Sequence, residues 1–398
     1  MTATTVLTAD WLVDGTGGAP LRDPAITIAD GTIIDVTSRD PGWAPPSGVT
    51  QQAHDGATVL PGLIDSHVHL AFSYPDQATS PTEHLAMATA NARAALAGGV
   101  TTLRDLGSCD GAALAVRNAI RGGEMVGPRV LAADVPLATP AGHLQWFGHV
   151  ATGPDALRAA VDTVADAGGD VIKLMVTGGN STPGSDPYTA QYTAAEVRAV
   201  VTAAHHRGLR VAAHVLCTEG VRAAVAGGVD TIEHGWTITG KRQDFTSGIV
   251  GEVLASGAMA SVTAHEDLRV LLRSTDPADL AELRRRLHPH RALHAAGVPM
   301  VVHSDAGPGP TRFDAFAESV LAFHHGMQVS PEAAIAAATS LPARALGLEH
   351  QVGTVAPGMT ADLLVVDGDV GRDPAALSRI RDVLVAGCAT SGSDAPAP

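Results

Sequence analysis

The chain has 398 residues, 45% of them apolar and 3% aromatic, with a formal charge of −15 at pH 7. That apolar content suffices for one large packed domain plus a small appendage, which excludes a disordered or fibrous chain. The acidic balance, the scarcity of aromatics and the lack of any basic run longer than Arg284-Arg285-Arg286 argue against a nucleic acid or an anionic membrane as partner.

Cys109, Cys217 and Cys388 show no CxxC spacing, so neither a disulfide framework nor a thiolate zinc site is indicated. The start MTATTVLTADWLVDG lacks a basic region followed by a long apolar stretch, and nowhere do about 18 apolar residues run together. A cytoplasmic, reducing location is the expectation.

From the N-terminus, TTVLTADWLVDG and AITIADGTIIDVT read as short strands broken by Gly, Asp and Pro. PGLIDSHVHL then opens an alternation of buried strands and helices. A helical stretch from His84 to Ala97 ends at Gly98-Gly99 before VTTLRDLG, and Gly111 to Arg121 leads to PRVLAAD. Asp155 to Ala167 is apolar at helical spacing and precedes DVIKLMV. Thr193 and Glu196 form a capping box for a helix reaching Arg207, which gives way to LRVAAHV. EGVRAAVAGG leads to VDTIEHG, GEVLASG to AMASVTA, and a long charged helix from Pro277 to Ala296 to VPMVVHSDAG.

Eight strand candidates in this alternation, with no GxGxxG after the first, predict an α/β protein built as a (β/α)8 TIM barrel over residues 58–351. Helix-like segments at Pro331 to Ser340 and Pro342 to Leu346 follow the last strand. The tail GTVAPGMTADLLVVDGDV has the texture of the N-terminal strands. Residues 1–57 plus 352–398 are therefore expected to form one small composite β-sandwich, and the final SGSDAPAP to be disordered on composition.

Six residues stand at or near the ends of these strands: His67 and His69, Lys173, His214, His234 and Asp305. A barrel gathers strand C-termini on one rim, where active sites are built. His67 and His69, two apart on a strand, project to one face and can reach one cation at about 2.0–2.1 Å per Zn–N bond, although neutral imidazole also suits Fe, Co or Ni. Taken singly, Lys173 fits a snorkelling lysine and Asp305 a helix cap equally well. A lysine inside DVIKLMV nonetheless poses a burial problem, since an uncompensated buried ammonium costs several kcal/mol. Reaction of its amine with carbon dioxide turns the cation into a carbamate anion able to bridge two divalent metals.

PGLIDSHVHL, GGVTTLRDLG, VIKLMVTGG, VAAHV, GGVDTIEHG, HSDAG, PEAAIAAATSLPARALGL and GTVAPGMTADLLVVDGD together resemble the amidohydrolase superfamily over nearly the whole chain. VIKLMVTGG resembles the branch related to imidazolonepropionase that includes metal-dependent Xaa-Pro dipeptidases (prolidases) and ochratoxin-type amidases. The resemblance implies two divalent metal ions, with zinc expected, bridged by carboxylated Lys173. One metal would take His67, His69, Lys173 and Asp305, and the other Lys173, His214 and His234. It implies cleavage of a C–N bond in a small molecule, Asp305 moving the proton and His234 or a nearby histidine helping to hold the carbonyl oxygen, in an enzyme that is often multimeric.

Loop residues past the strand ends are expected to shape the pocket: His143, Trp146, Tyr188, Tyr192, His265 and His303. By the same resemblance His143 and Tyr192 face the substrate; packing of Tyr192 ahead of the following helix is the equal alternative. The chain departs from the family in AHVLC, where Leu216 replaces a polar histidine, and in AGHLQW, both of which make the pocket more apolar. Hydrolytic deamination or ring opening of a heterocycle at a single metal is the alternative function. A catalytically inactive binding scaffold is a third reading, disfavoured because none of the six residues is missing.

Overall fold

The computed structural model describes residues 4–74, 76–77, 79–235, 238–239, 242–243 and 247–390. The tail expected to be disordered, residues 391–398, lies outside the described residues.

All eight strand candidates are strands. In chain order they and their helices are β1 (Leu63–Val68), α1 (Pro81–Ala97), β2 (Val100–Asp105), α2 (Ala112–Arg121), β3 (Arg129–Ala132), α3 (Pro154–Asp166), β4 (Val171–Met175) and α4 (Ala194–His206). There follow β5 (Arg210–His214), α5 (Thr218–Gly227), β6 (Thr231–Glu233), α6 (Ser247–Ser256), β7 (Met259–Thr263), α7 (Glu266–Arg273), α8 (Pro277–Arg286), α9 (His288–Ala295), β8 (Met300–His303) and α10 (Phe316–Met327). The fold is α/β with parallel strands: β1–β2–β3 form one parallel ladder and β4 through β8 another.

Two junctions bring the ladders together. Asp170 N donates to Ala132 O at 2.8 Å where β4 meets β3. At the other side Val68 bridges Ala306 in parallel, with Asp305 N donating to His67 O at 2.9 Å and His69 N to Ala306 O at 2.8 Å. The last strand thus lies beside the first. Parallel strands with helices over them are buried on both faces, and β1, β2 and β4 are buried at every residue, their polar and charged side chains included.

Helix ends follow local chemistry. Thr193 and Glu196 cap α4 reciprocally, as their spacing predicts, and Ser80 with Glu83 does the same for α1. The single long helix expected from Pro277 to Ala296 is two helices, α8 and α9, divided at Leu287. Pro289 is the reason, because its ring displaces an amide donor and clashes with the carbonyl four residues back. A helix that the sequence pattern did not announce, α7, precedes them.

The terminal segments share one mixed sheet. Its order is Cys388–Ala389, Ile380–Val385, Leu363–Asp367, Thr50–Pro61, Thr4–Leu12, Pro24–Ala29 and Thr32–Ser38, with Leu21–Arg22 paired to Thr4–Leu12. Leu363 pairs with Pro61 and Asp367 with Ala57, so this sheet continues four residues past position 57. It has an apolar core of its own, including Leu7, Ile26, Val59, Leu363 and Val365, separate from the main core in which Leu63, Leu103, Leu174 and Val262 pack beneath the helices. Among the described residues the three cysteines are free, and no helix is long and apolar enough to cross a membrane.

Candidate metal centre

Five of the six expected ligands lie on the last residues of strands or the turns just after them, and Lys173 sits at the centre of β4. The structure brings all six to one cavity of about 560 Å³. His67, His69 and Asp305 have ligand atoms within 4.8 Å of one another, a grouping able to hold a metal ion. Asp305 Oδ1 lies 3.5 Å from His67 Nε2 and 3.4 Å from His69 Nε2, yet it is buried and accepts no hydrogen bond. A buried carboxylate oxygen left unsatisfied between two imidazole nitrogens is the coordination chemistry of a cation, so the residues present fit a metal.

Each imidazole is oriented from behind. His67 Nδ1–H donates to Glu233 Oε2 at 3.0 Å and His69 Nδ1–H to the Gly107 carbonyl at 2.6 Å, leaving both Nε2 lone pairs toward Asp305. His234 Nδ1 meets Thr263 Oγ1 at 2.7 Å, and His214 Nε2–H donates to the Gly178 carbonyl at 3.1 Å. The rings of His214 and His234 stand 4.6 Å apart. Burial, as the largest cause, holds His67, His214 and His234 well below the ordinary imidazole range, which keeps them in the neutral form that ligates. Burial alone would raise the Asp305 carboxyl, but it is held well below the usual range, with His265, 3.4 Å from Oδ2, among the groups that lower it.

Lys173 is 1% exposed, and its Nζ donates to His67 Nε2 at 3.1 Å. Burial pulls its ammonium down to about 8, against the opposing pull of Glu233 and Asp305. His234 and Asp305 share a further property: their backbones lie in the left-handed region, at φ 67° and 51°. Strain of that kind persists where surrounding structure enforces it and clusters at functional sites.

The second expected grouping, Lys173, His214 and His234, lines the same cavity. Among the described residues His67, His234 and His303 also have ligand atoms within 4.8 Å of one another. His214 Nε2 is committed to the Gly178 carbonyl, and its ring stands beside His143 at 4.6 Å between ring centroids.

Of the residues expected to shape the pocket, Tyr188, His265 and His143 line the cavity, His143 with its Nδ1 held 2.8 Å from Thr182 Oγ1 and its ring held by burial at about 3. Gly179 makes room for it, since a Cβ there would lie 2.5 Å from the ring. The other three are corrections. Tyr192 is 2% exposed and donates its hydroxyl to Ala151 O at 2.8 Å, so it packs ahead of α4. Trp146 stands behind Phe72, its indole donating to Ser73 O at 3.1 Å. His303 is fully buried behind His67, with Nε2 on Ser261 and Thr263 hydroxyls at 3.0 and 3.2 Å. The cavity wall is otherwise built by Phe72, Leu144, Met175, Leu216, Leu268 and Leu287, with Tyr188, His265 and Arg286 toward its edge.

Glu233 and Arg104, outside the six expected ligands, support the site from behind. Glu233 accepts from Arg104 Nη2 at 2.7 Å and from Thr231 Oγ1 at 2.5 Å through Oε1, while Oε2 serves His67. Both charged side chains are buried, and although burial opposes ionisation of Glu233, Arg104 holds its carboxyl at about 2. The signal that singled out Lys173, a charge inside an apolar strand, was equally present in VTTLRD and TIEHG.

The family described as "Amidohydrolase family" matches residues 58–390. The "Ochratoxinase" of Aspergillus niger is 27% identical, covering 91% of this chain and 81% of its own. The "Imidazolonepropionase" of Rhizorhabdus wittichii is 26% identical over 89% and 90% of the two chains. A solved Xaa-Pro dipeptidase with methionine bound in its active site superposes with a TM-score of 0.84 at 26% identity, covering 98% of this chain and 100% of that one.

Proposed function

The chain belongs to the amidohydrolase family and is a hydrolase of C–N bonds, and from that premise we propose a metal-dependent enzyme that opens an amide, peptide-like or N-acyl bond of a small molecule. The observation that carries this reading is the convergence of His67, His69 and Asp305 on one point beside fully buried Lys173. We assign a first divalent cation, zinc, to His67, His69, Lys173 and Asp305, and a second to Lys173, His214 and His234. Lys173 would serve both as its carbamate: the neutral amine adds to carbon dioxide and loses a proton, so that a buried cation becomes an anionic ligand. The lowered ammonium, about 8, and the surrounding imidazoles support that assignment. Bound there, the cations would supply Lewis-acid polarisation of a scissile carbonyl and lower the pKa of water.

The chain's own residues do the rest. Asp305, ionised and within 3.4 Å of His265 through Oδ2, accepts the proton of the attacking water and returns it to the leaving nitrogen. His143, its Nδ1 occupied by Thr182, keeps Nε2 for a substrate oxygen, and His234 shares that duty. The apolar wall excludes bulk water and suits a bulkier substrate than a small dipeptide. In the same reading the eight parallel strands close as a (β/α)8 barrel, and the terminal sheet, reaching Pro61, folds as a separate β-sandwich.

Single-metal deamination or ring opening of a heterocycle is the second reading, supported by the imidazolonepropionase relative. Metal analysis of the purified protein separates the two: near two ions per chain supports the first and near one the second. Asp305→Asn should keep the fold and at least one metal while losing most of its turnover of N-acyl amino acids. Near-parental activity in that variant overturns the role given to Asp305.

A further inference from the structure

Beyond the cluster already described, a serine, a histidine and an aspartate meet just past β1. Ser73 Oγ lies 2.9 Å from His84 Nε2, and His84 Nδ1 lies 2.7 Å from Asp110 Oδ2. One tautomer satisfies both contacts: Nδ1–H donates to the carboxylate and Nε2 accepts the serine proton. These residue types can act as nucleophile, base and orienting group. Here they do not, because Ser73 is 7% exposed and absent from the cavity wall, so no substrate carbonyl reaches its hydroxyl.

The relay holds a wall in place. Ser73 directly follows Phe72, which lines the cavity at a ring-centroid distance of 5.9 Å from candidate ligand His69. The segment leading to Ser73 is bound along its length: Leu70 N to Asp105 Oδ2 at 2.6 Å, Ala71 N to Ser108 Oγ at 3.0 Å, and Cys109 N to Ala71 O at 2.9 Å. Trp146 Nε1 donates to the Ser73 carbonyl at 3.1 Å. Around the Phe72 ring stand Tyr74 at 5.1 Å and Trp146 and Phe147 at 6.0 Å each, all edge-on. A chain with only 3% aromatic residues has gathered four of them next to the candidate metal centre.

We propose that Phe72 is the specificity-determining wall for a flat ring on the substrate, placed beside the scissile bond, and that His84 is a positioning residue that fixes this wall through Ser73. The inference rests on the metal-dependent reading above and names the substrate class for it: an amide whose acyl or leaving part carries an aromatic or heteroaromatic ring. Edge-to-face packing onto Phe72, itself immobilised by three aromatic neighbours, rewards a planar π-face over an alkyl group of equal reach. His84, on α1 and 4% exposed, is not among the residues lining the cavity and meets this wall through the Ser73 hydroxyl.

The test uses zinc-loaded enzyme and two probes with the same chelating head, benzohydroxamate and acetohydroxamate, titrated by calorimetry. The parental protein should bind the benzo compound at least about tenfold more tightly. Phe72→Ala should abolish most of that preference while leaving acetohydroxamate affinity and metal content unchanged. Ser73→Ala and His84→Leu should reduce the preference in the same sense, and Ser73→Thr, which keeps the hydroxyl, should restore it. Equal affinity for the two probes in the parent, or an undiminished preference in Phe72→Ala, overturns the assignment of the wall. A preference intact in Ser73→Ala overturns the positioning role. Failure of both hydroxamates to bind removes the metal-dependent reading itself, a result distinct from equal binding.

Discussion

Replacing Glu233 by Gln should damage both the fold and the metal centre, and the structure sets the size of each effect. The side chain keeps its shape, but Arg104, 1% exposed and bonded at 2.7 Å, loses its countercharge. At an effective dielectric of about 20, charges this close attract by roughly 6 kcal/mol before desolvation, and breaking a buried pair by removing one partner costs about 3–5 kcal/mol. That is a large share of the ~5–15 kcal/mol by which proteins are stable. The second effect runs through His67. If the Gln carbonyl stays on Arg104, its amide faces His67 Nδ1, 3.0 Å away in the parent, as a donor against a donor. His67 then moves its proton to Nε2, the atom offered to the cation, and metal affinity should fall about 10–100-fold. Urea unfolding of chelator-treated protein measures the first effect, and zinc competition against a chromophoric chelator the second. The double variant Arg104→Met/Glu233→Gln should recover stability relative to Glu233→Gln without recovering affinity. An unfolding midpoint and zinc affinity both equal to the parent's would show that the Arg104–Glu233–His67 chain has no such role.

Two further outcomes follow from the geometry. In metal-free protein, stability should fall as pH drops below about 6.5. His143 and His303 are held by burial at about 3, so the unfolded chain binds protons that the folded one refuses. Each contributes a slope of up to about 1.4 kcal/mol per pH unit between about 6.5 and 3, and His303→Gln should flatten the measured slope between pH 6 and 4; an unchanged slope refutes the assignment. Gly307→Ala should lower zinc content and stability together, because Gly307 has φ +130° and a Cβ there would lie 2.4 Å from the His69 carbonyl and 2.7 Å from its Cβ. The cost of such a forced backbone is about 1–3 kcal/mol or more, and full zinc occupancy at parental stability would contradict it.

Amino-acid order alone determined the eight buried strands, most of the helices between them and the positions of all six candidate ligands, while the helix Glu266–Arg273 and the break at Leu287 came only with the structure. The legible features are local properties: apolar runs of strand length, glycine stops, the Thr193–Glu196 cap, and histidines or acids standing where apolar runs end. Pairing of the two chain ends into one sheet was also legible, since both carry the same strand texture. What only the tertiary structure decided is which way side chains face and what lies across from them. Tyr192, Trp146 and His303 sit in motifs beside the cavity yet turn into the protein, each toward a hydrogen-bond partner distant in sequence. The Arg104–Glu233 pair spans 129 positions and the Ser73–His84–Asp110 relay joins three separate elements. Periodicity reports burial one residue at a time, whereas the partner that satisfies a buried charge or hydroxyl comes from whichever strand the fold sets opposite it.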